Sequence, residues 1–287
     1  MTTTISIKND SCNEKCESCF LNFNGEVMSL EDILKIARES PDKVIEIQGG
    51  ETMLYRDPSV KKIDIVDVIL GIVRMGKDVH VSTNGTYIPR RLLEEEVINE
   101  LQDHLQVQVS LWASNAELYK EITKRNVFNL VEKNISIYKE NYDTVLSCAI
   151  YRKNYADVKN IADYAVNKLG LPIRFNLVMA IGKGKEVELI TTSEVYDLLN
   201  TIRQLAPFAQ SLHQKPMIFF GSYNLNPLSG MTENNCPAVT FAYNLPMTSA
   251  MSPCLMLTRK YHSPGKPAQL CEFFHQGLME KVVLEAR

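Results

Sequence analysis

The sequence predicts an α/β protein with a parallel sheet and helices outside it. Three observations carry this. Strand-like and helix-like patterns alternate over the first two-thirds of the chain, and several of the apolar runs stop at Gly-Gly or Asn-Gly. The composition, 45 % hydrophobic and 23 % charged over 287 residues, is that of a globular chain. Residues 3–8 form the first expected strand, and a cysteine-rich loop follows. Ser29 and Asp32 make a capping-box-like start for a helix over 30–39. Val44–Ile47 is a short strand that runs into Gly49-Gly50, and a long amphipathic helix is expected over 59–75, stopped by Gly76. The series continues with strand 79–82 and its Asn84-Gly85 turn, helix 89–103, strand 105–112 and helix 127–140. Strand 144–151, helix 155–169 ended by Gly170, strand 173–179 and helix 192–205 complete six βα units. Periodicity does not choose between a barrel and an open doubly wound sheet.

Near residue 206 the pattern changes to a stretch rich in Pro, Asn, Ser and Gly, with short strands at Met217–Phe220 and Val239–Leu245 and a last helix over 272–285. Two domains are therefore expected, 1–205 and 206–287. A net charge of −3 gives no basic excess to attract nucleic acid or an anionic membrane. The most apolar stretch, Ile63–Met75, is interrupted by Asp64, Asp67 and Arg74, and the N-terminus has no signal-peptide character. A cytoplasmic protein is expected. In that reducing setting seven cysteines suit metal or redox chemistry better than a disulfide framework.

The strongest motif is Cys12-Asn-Glu-Lys-Cys16-Glu-Ser-Cys19 at the end of the first strand. Three thiolates in eight residues can wrap one face of a cubane iron–sulfur cluster, which usually takes four cysteines, and so leave one iron open. Zinc accepts thiolates at such spacings too, with a fourth Cys or His, although the nearest histidine is His80. Gln48-Gly49-Gly50-Glu51-Thr52 follows the second strand, where paired glycines admit close backbone approach and a carboxylate can hold an ammonium group. Ser82-Thr83-Asn84-Gly85 follows the third.

Taken together, these motifs resemble the radical S-adenosylmethionine (radical SAM) superfamily over roughly residues 3–180. The resemblance implies a partial (β/α)6 TIM barrel with a 4Fe–4S cluster on Cys12, Cys16 and Cys19. It further implies S-adenosylmethionine on the open iron, reductive cleavage by a flavodoxin- or ferredoxin-type reductant, and hydrogen abstraction by a 5′-deoxyadenosyl radical. By position, Gly49, Gly50 and Glu51 would hold the methionine amino group and Asn84 would contact the cofactor. Ser110 and Arg125 would meet its ribose or carboxylate, and the backbone of 178–181 would lie along the adenine. The chain departs from the family pattern at Ser18, where an aromatic residue is common, and at Thr52, where proline is common.

Cys236, Cys254 and Cys271 resemble the ligands of the SPASM and twitch extensions, and Met251-Ser252-Pro253-Cys254 matches their hairpin-then-cysteine pattern. The resemblance implies a small α+β twitch-like domain with an auxiliary 4Fe–4S cluster, its fourth ligand supplied by substrate, water, His262, His275 or Cys148. Buried structural thiols or a zinc knot are the alternatives. Cys148 shares its strand parity with Leu146 and Ile150. Facing the lumen it would be a hydrogen donor to a substrate radical, and otherwise a core thiol. Lys183 and Lys185 with Gly182 and Gly184 form a basic turn at the expected mouth. Nothing ahead of Cys12 is long enough for a leader-binding segment, which favours a small molecule or short peptide as substrate. Oxidation, crosslinking and epimerisation are the outcomes in view. An iron–sulfur electron carrier and a zinc-stabilised binding module are the readings without S-adenosylmethionine chemistry.

Overall fold

A computed structural model of the chain describes residues 2–9, 11–21, 23, 25–178, 182–213, 217–220, 242–244 and 251–252. In chain order its elements are β1 (Thr2–Asn9), β2 (Glu26–Val27), α1 (Leu30–Glu39), β3 (Val44–Gly49), α2 (Ile65–Val73) and β4 (Asp78–Thr83). Then come α3 (Glu95–Leu101), β5 (Leu105–Ser110), α4 (Ala116–Thr123), α5 (Phe128–Asn141), β6 (Asp143–Ile150), α6 (Arg152–Tyr155) and α7 (Val158–Asp163). The last are β7 (Ile173–Leu177), α8 (Thr192–His213), β8 (Ile218–Phe220), β9 (Ala242–Asn244) and β10 (Met251–Ser252).

The strands pair in the order β1-β3-β4-β5-β6-β7-β8, and each neighbouring pair on that path is parallel. A doubly wound sheet reverses its strand order at a switch point. Here the order never reverses, so each crossover advances the sheet the same way and the helices stay on one side. That is the wall of a partial barrel. β9 adds to the outer edge of β1 in parallel, and β10 pairs antiparallel with β9.

Alternation within the strands shows which face does what. Ile5, Ile45, Ile47, Val79, Val81, Val107, Val109, Leu146, Ile173 and Phe175 are buried and share one core with Ile33, Ile69, Val131 and Ile161 of the helices. Each such side chain contributes about 1.5–3 kcal/mol by leaving water. The alternate residues, among them Gln48, Ser82, Gln108, Ser110, Ser147 and Asn176, are half-buried on the opposite, concave face. The barrel is therefore apolar on its helix-packed side and hydrogen-bonding within.

Several elements differ from the sequence expectation. The helix expected over 59–75 starts only at Ile65, because Asp64 and Asp67 form a reciprocal capping box there. The residues before it are a turn in which Asp57 accepts the amides of Ser59 and Val60, each at 2.7 Å. The helix expected over 89–103 is a short tight turn at Arg90–Leu93 and then α3, separated by the extended Glu94. The one expected over 155–169 is broken into α6, α7 and a π-helical turn at Tyr164–Lys168, although Gly170 does close it at φ 63°. α8 runs past 205 to His213. α4 was not expected at all. It is short, capped by the Asn115 side chain accepting from Leu118 N at 3.0 Å, and closed by Lys124 at φ 61° where no glycine marks the end. The helix expected over 272–285 lies outside the described residues.

Candidate active site at the carboxyl ends of the strands

The cysteine loop leaves β1 and is pinned from the outside by backbone bonds. Lys15 N donates to Thr123 O at 3.2 Å and Glu17 N to Ile122 O at 3.2 Å, so the end of α4 forms its cradle. Arg125 Nη1 donates to Asn13 O at 2.6 Å, and Lys183 N to Cys19 O at 2.9 Å. Glu17 accepts Tyr151 Oη at 2.7 Å and forms ion pairs with Lys124 and Lys153, both at 2.6 Å. Burial alone would raise its carboxyl, but those three donors outweigh it and hold the pKa at about 2.

Within the loop, Cys12 Sγ accepts from Glu14 N at 3.4 Å and from Asn84 Nδ2 at 3.6 Å. Cys16 Sγ donates to Glu14 Oε2 at 3.6 Å. Burial pushes all three thiols up, Cys12 to about 11, and the carboxylate of Glu14 adds to the effect on Cys12 and Cys16. Thiols in such surroundings stay protonated at neutral pH until a metal bonds them and takes the proton's place. Two further observations fit a bound group. Ser18 Oγ and Thr52 Oγ1 are buried without a hydrogen-bond partner among the described residues, and they lie in the cysteine motif and the Gly-Gly-Glu motif respectively. Among the described residues no three Cys, His, Asp or Glu side chains converge on a single-ion site. A cluster whose cysteines each bond a different iron does not require that convergence.

The three sequence motifs form one network. Gly50 N donates to Lys8 O at 2.6 Å and Glu51 N to Ser11 O at 3.4 Å. A methyl group on Gly49 would come within 2.6 Å of Lys8 O, and one on Gly50 would collide with the Ser11 carbonyl. The close approach these glycines permit is thus to the chain's own β1 and the root of the cysteine loop. Glu51 is 1 % exposed. Its Oε1 accepts Met53 N at 2.9 Å and Thr83 Oγ1 at 2.6 Å, and its Oε2 accepts Asn84 N at 2.7 Å. It therefore ties the end of β3 to the end of β4. Asn84 reaches back, donating to Asn13 Oδ1 at 2.8 Å, and Thr86 and Asn13 complete the ring through a 2.7 Å bond. Asn13, Thr83, Thr86 and the end of α4 are site residues that sequence reasoning missed. Asn and Thr beside a strand-end turn were the available signal.

The remaining expected residues fall in different places. Ser110 is half-buried at the end of β5, in register with Ser147 of β6 on the concave face. Arg125 is exposed and braces the loop from outside through Asn13. Val178 N donates to Ile150 O at 2.9 Å, while Met179, Ala180 and Ile181 lie outside the described residues. Gly182 at φ 57° packs against the carbonyls of Cys19 and Phe20. Cys148 is 0 % exposed and belongs to the helix-packed core with Leu146 and Ile150, where Asn154 Nδ2 donates to its Sγ at 3.6 Å. That face is turned away from the concave side, so the hydrogen-donor expectation gives way to a core thiol. Cys148→Ala should leave cofactor cleavage within about twofold and cost roughly 1–2 kcal/mol in chemical denaturation. Cys236, Cys254, Cys271, His262 and His275 lie outside the described residues.

Comparison with known proteins bears on the family and the fold. The radical SAM superfamily profile matches residues 7–165, which is more than half of the chain. This chain belongs to the radical SAM superfamily, a family of enzymes that use a 4Fe–4S cluster and S-adenosylmethionine. It is 26 % identical over 222 residues to a GTP 3′,8-cyclase of Clostridium perfringens, a match covering 71 % of this chain and 63 % of that protein. It is 35 % identical over 152 residues to a probable GTP 3′,8-cyclase of Methanocaldococcus jannaschii, covering 50 % of this chain and 46 % of that one. The chain thus spans less than two-thirds of the length of these curated relatives. Among solved structures it resembles Streptococcus suis SuiB bound to the precursor peptide SuiA, with a TM-score of 0.69 at 15 % identity, covering 98 % of this chain and 66 % of that one. It also resembles anSMEcpe with bound AdoMet, with a TM-score of 0.65 at 15 % identity, covering 90 % of this chain and 75 % of that one. At that identity the likeness is one of fold. No helix among the described residues is long and apolar enough to cross a membrane.

Proposed function

We propose that this chain cleaves S-adenosylmethionine reductively at Cys12, Cys16 and Cys19 and directs the resulting radical at a compact polar substrate. The observation that carries this is the joining of the cysteine loop, Glu51 and Asn84 into one hydrogen-bonded unit at the strand ends. When bound, the cluster and S-adenosylmethionine supply a 5′-deoxyadenosyl radical that takes a hydrogen atom from the substrate. The chain's own residues bind and orient. Cys12, Cys16 and Cys19 are the ligands. The hydroxyls of Ser18 and Thr52, which have no partner among the described residues, are hydrogen-bonding groups available beside them, and Asn84 and Glu51 set the position of the loop. Gly49, Gly50 and Glu51 act as positioning residues, because their partners lie within the chain; they set the strand ends beside which the methionine end of the cofactor would lie, with Ser110 toward its ribose. Arg125 acts through the loop it braces rather than by touching the ligand.

For the substrate, the half-buried Gln48, Ser82, Gln108, Ser147 and Asn176 on the concave face support a molecule rich in hydrogen-bonding groups. The GTP 3′,8-cyclase relatives make a purine nucleotide the first class to try, ahead of a peptide of the kind seen bound to SuiB. A second cluster on Cys236, Cys254 and Cys271 is carried by their sequence pattern. It predicts two clusters' worth of iron and sulfide per chain, and a single cluster's worth would remove it. The principal test is anaerobic. Reconstituted protein with dithionite and S-adenosylmethionine should release 5′-deoxyadenosine, faster when a purine nucleotide is present. Intact S-adenosylmethionine would favour an electron carrier, and zinc without iron a binding module.

A further inference from the structure

The outer side of the cysteine loop is a surface of its own, and it is basic. Lys15 and Glu17, the residues that flank Cys16, line an open cleft of about 580 Å³ together with Lys124, Arg152, Lys153 and Lys183. Five cations and three carboxylates line the cleft, whereas the chain as a whole carries a net charge of −3. Pairing offsets part of that excess, with Glu194 adding a fourth carboxylate through Arg152, and what remains is carried by Lys15 and Lys183. Glu17 is shared by Lys124 and Lys153, and Arg152 is engaged by Glu188 and Glu194. Lys15 and Lys183 are exposed and take no ion-pair partner among the described residues. Cys16, half-buried, stands between Lys15 and Glu17 in the chain, and Lys183 N is bonded to the carbonyl of the half-buried Cys19 at 2.9 Å.

We propose that this cleft is the docking surface of the acidic electron-transfer protein that reduces the cluster, an inference that rests on the radical SAM reading above. A protein donor cannot enter the barrel, so its electron has to cross the loop that holds the cluster, and tunnelling falls steeply with distance. Lys15 and Glu17, on either side of Cys16 in the chain, both line the cleft, so a donor seated there lies against the cysteine loop itself. A positive patch there steers a negatively charged donor and orients it, in the small and transient kind of interface that electron-transfer partners form. One electron leaves the hydroquinone form of a flavodoxin, which becomes the semiquinone, and enters the cluster. No bond is made or broken at this surface.

The experiment compares two reductants. Formation of 5′-deoxyadenosine is driven either by dithionite or by a bacterial flavodoxin with its NADPH-dependent reductase, in wild type, in Lys15→Gln/Lys183→Gln and in Glu186→Lys. The double variant should raise the flavodoxin concentration for half-maximal rate about tenfold, and Glu186→Lys should lower it, with the salt dependence flattened in the first and steepened in the second. Dithionite-driven rates should stay at the wild-type value in both. The proposal is overturned if the flavodoxin-driven rates do not separate from the dithionite-driven ones in either variant. Wild-type protein that leaves S-adenosylmethionine intact with both reductants instead overturns the radical SAM reading, and the docking surface with it.

Discussion

Alanine at Cys16 is expected to lower the brown absorbance, iron and sulfide of anaerobically reconstituted protein by one cluster's worth and to take 5′-deoxyadenosine formation to background. Cys16 is the middle one of the three proposed ligands, and a cubane already short of one cysteine has no further cysteine in the loop to replace it. The effect should be confined to the metal. The loop is held by Lys15 N on Thr123 O and Glu17 N on Ile122 O, backbone bonds that do not involve the thiol. The thiol is only half-buried, so stability to denaturant should change by less than about 1 kcal/mol. Circular dichroism and the denaturation midpoint are therefore the controls that separate lost cluster from lost fold. Colour retained in the variant, with iron and sulfide unchanged, would mean that the loop does not hold the cluster. Cys148→Ala is the matched comparison, because it removes a thiol of the same chain from the apolar core and should keep both colour and turnover.

The same contrast explains what was legible in the sequence. The βα rhythm could be read because each strand alternates between a face packed on helices and a face turned inward, as Val79, Val81, Ser82 and His80 do in β4. Spacing alone picked out Cys12, Cys16 and Cys19, since ligands to one cluster can be close neighbours in the chain. The direction of Cys148 was not legible, because its parity is shared by two apolar residues and either face of a buried strand accepts them. The direction of Gly49 and Gly50 was hidden for another reason. A glycine reports that something comes close, and whether that is a ligand or the carbonyl of Ser11 depends on residues far away in the chain. α4 escaped notice because its left-handed closing residue is Lys124 rather than glycine, yet its last turn is the cradle of the whole loop.

Glu51→Ala should be the most damaging single change outside the cysteines. The carboxylate satisfies Met53 N, Thr83 Oγ1 and Asn84 N in a place where water cannot replace it, so truncation leaves three buried donors unmet. At roughly 1–3 kcal/mol for each unsatisfied group, the loss of stability should be about 3 kcal/mol or more. Asn84 would also lose the bond that fixes its position against Cys12 and Asn13, so affinity for S-adenosylmethionine should fall with stability. Glu51→Gln separates the two causes. It keeps the volume and one acceptor but turns an amide toward donors, and should cost less than alanine in denaturation. The pH dependence adds an independent reading. Burial holds the Glu51 carboxyl above its ordinary range despite the three donors that pull it down. The folded state therefore binds that proton more tightly than the unfolded chain does. Its contribution to stability is complete below the ordinary glutamate pKa of about 4.3 and is lost as pH rises from there through the folded value. Wild-type denaturation midpoints should show that decline, and Glu51→Gln should show a shallower one, since Glu14, which burial raises to about 7, still titrates in the same window. A Gln variant with the wild-type slope and full cofactor affinity would mean that Glu51 neither carries the buried charge nor organises the strand ends.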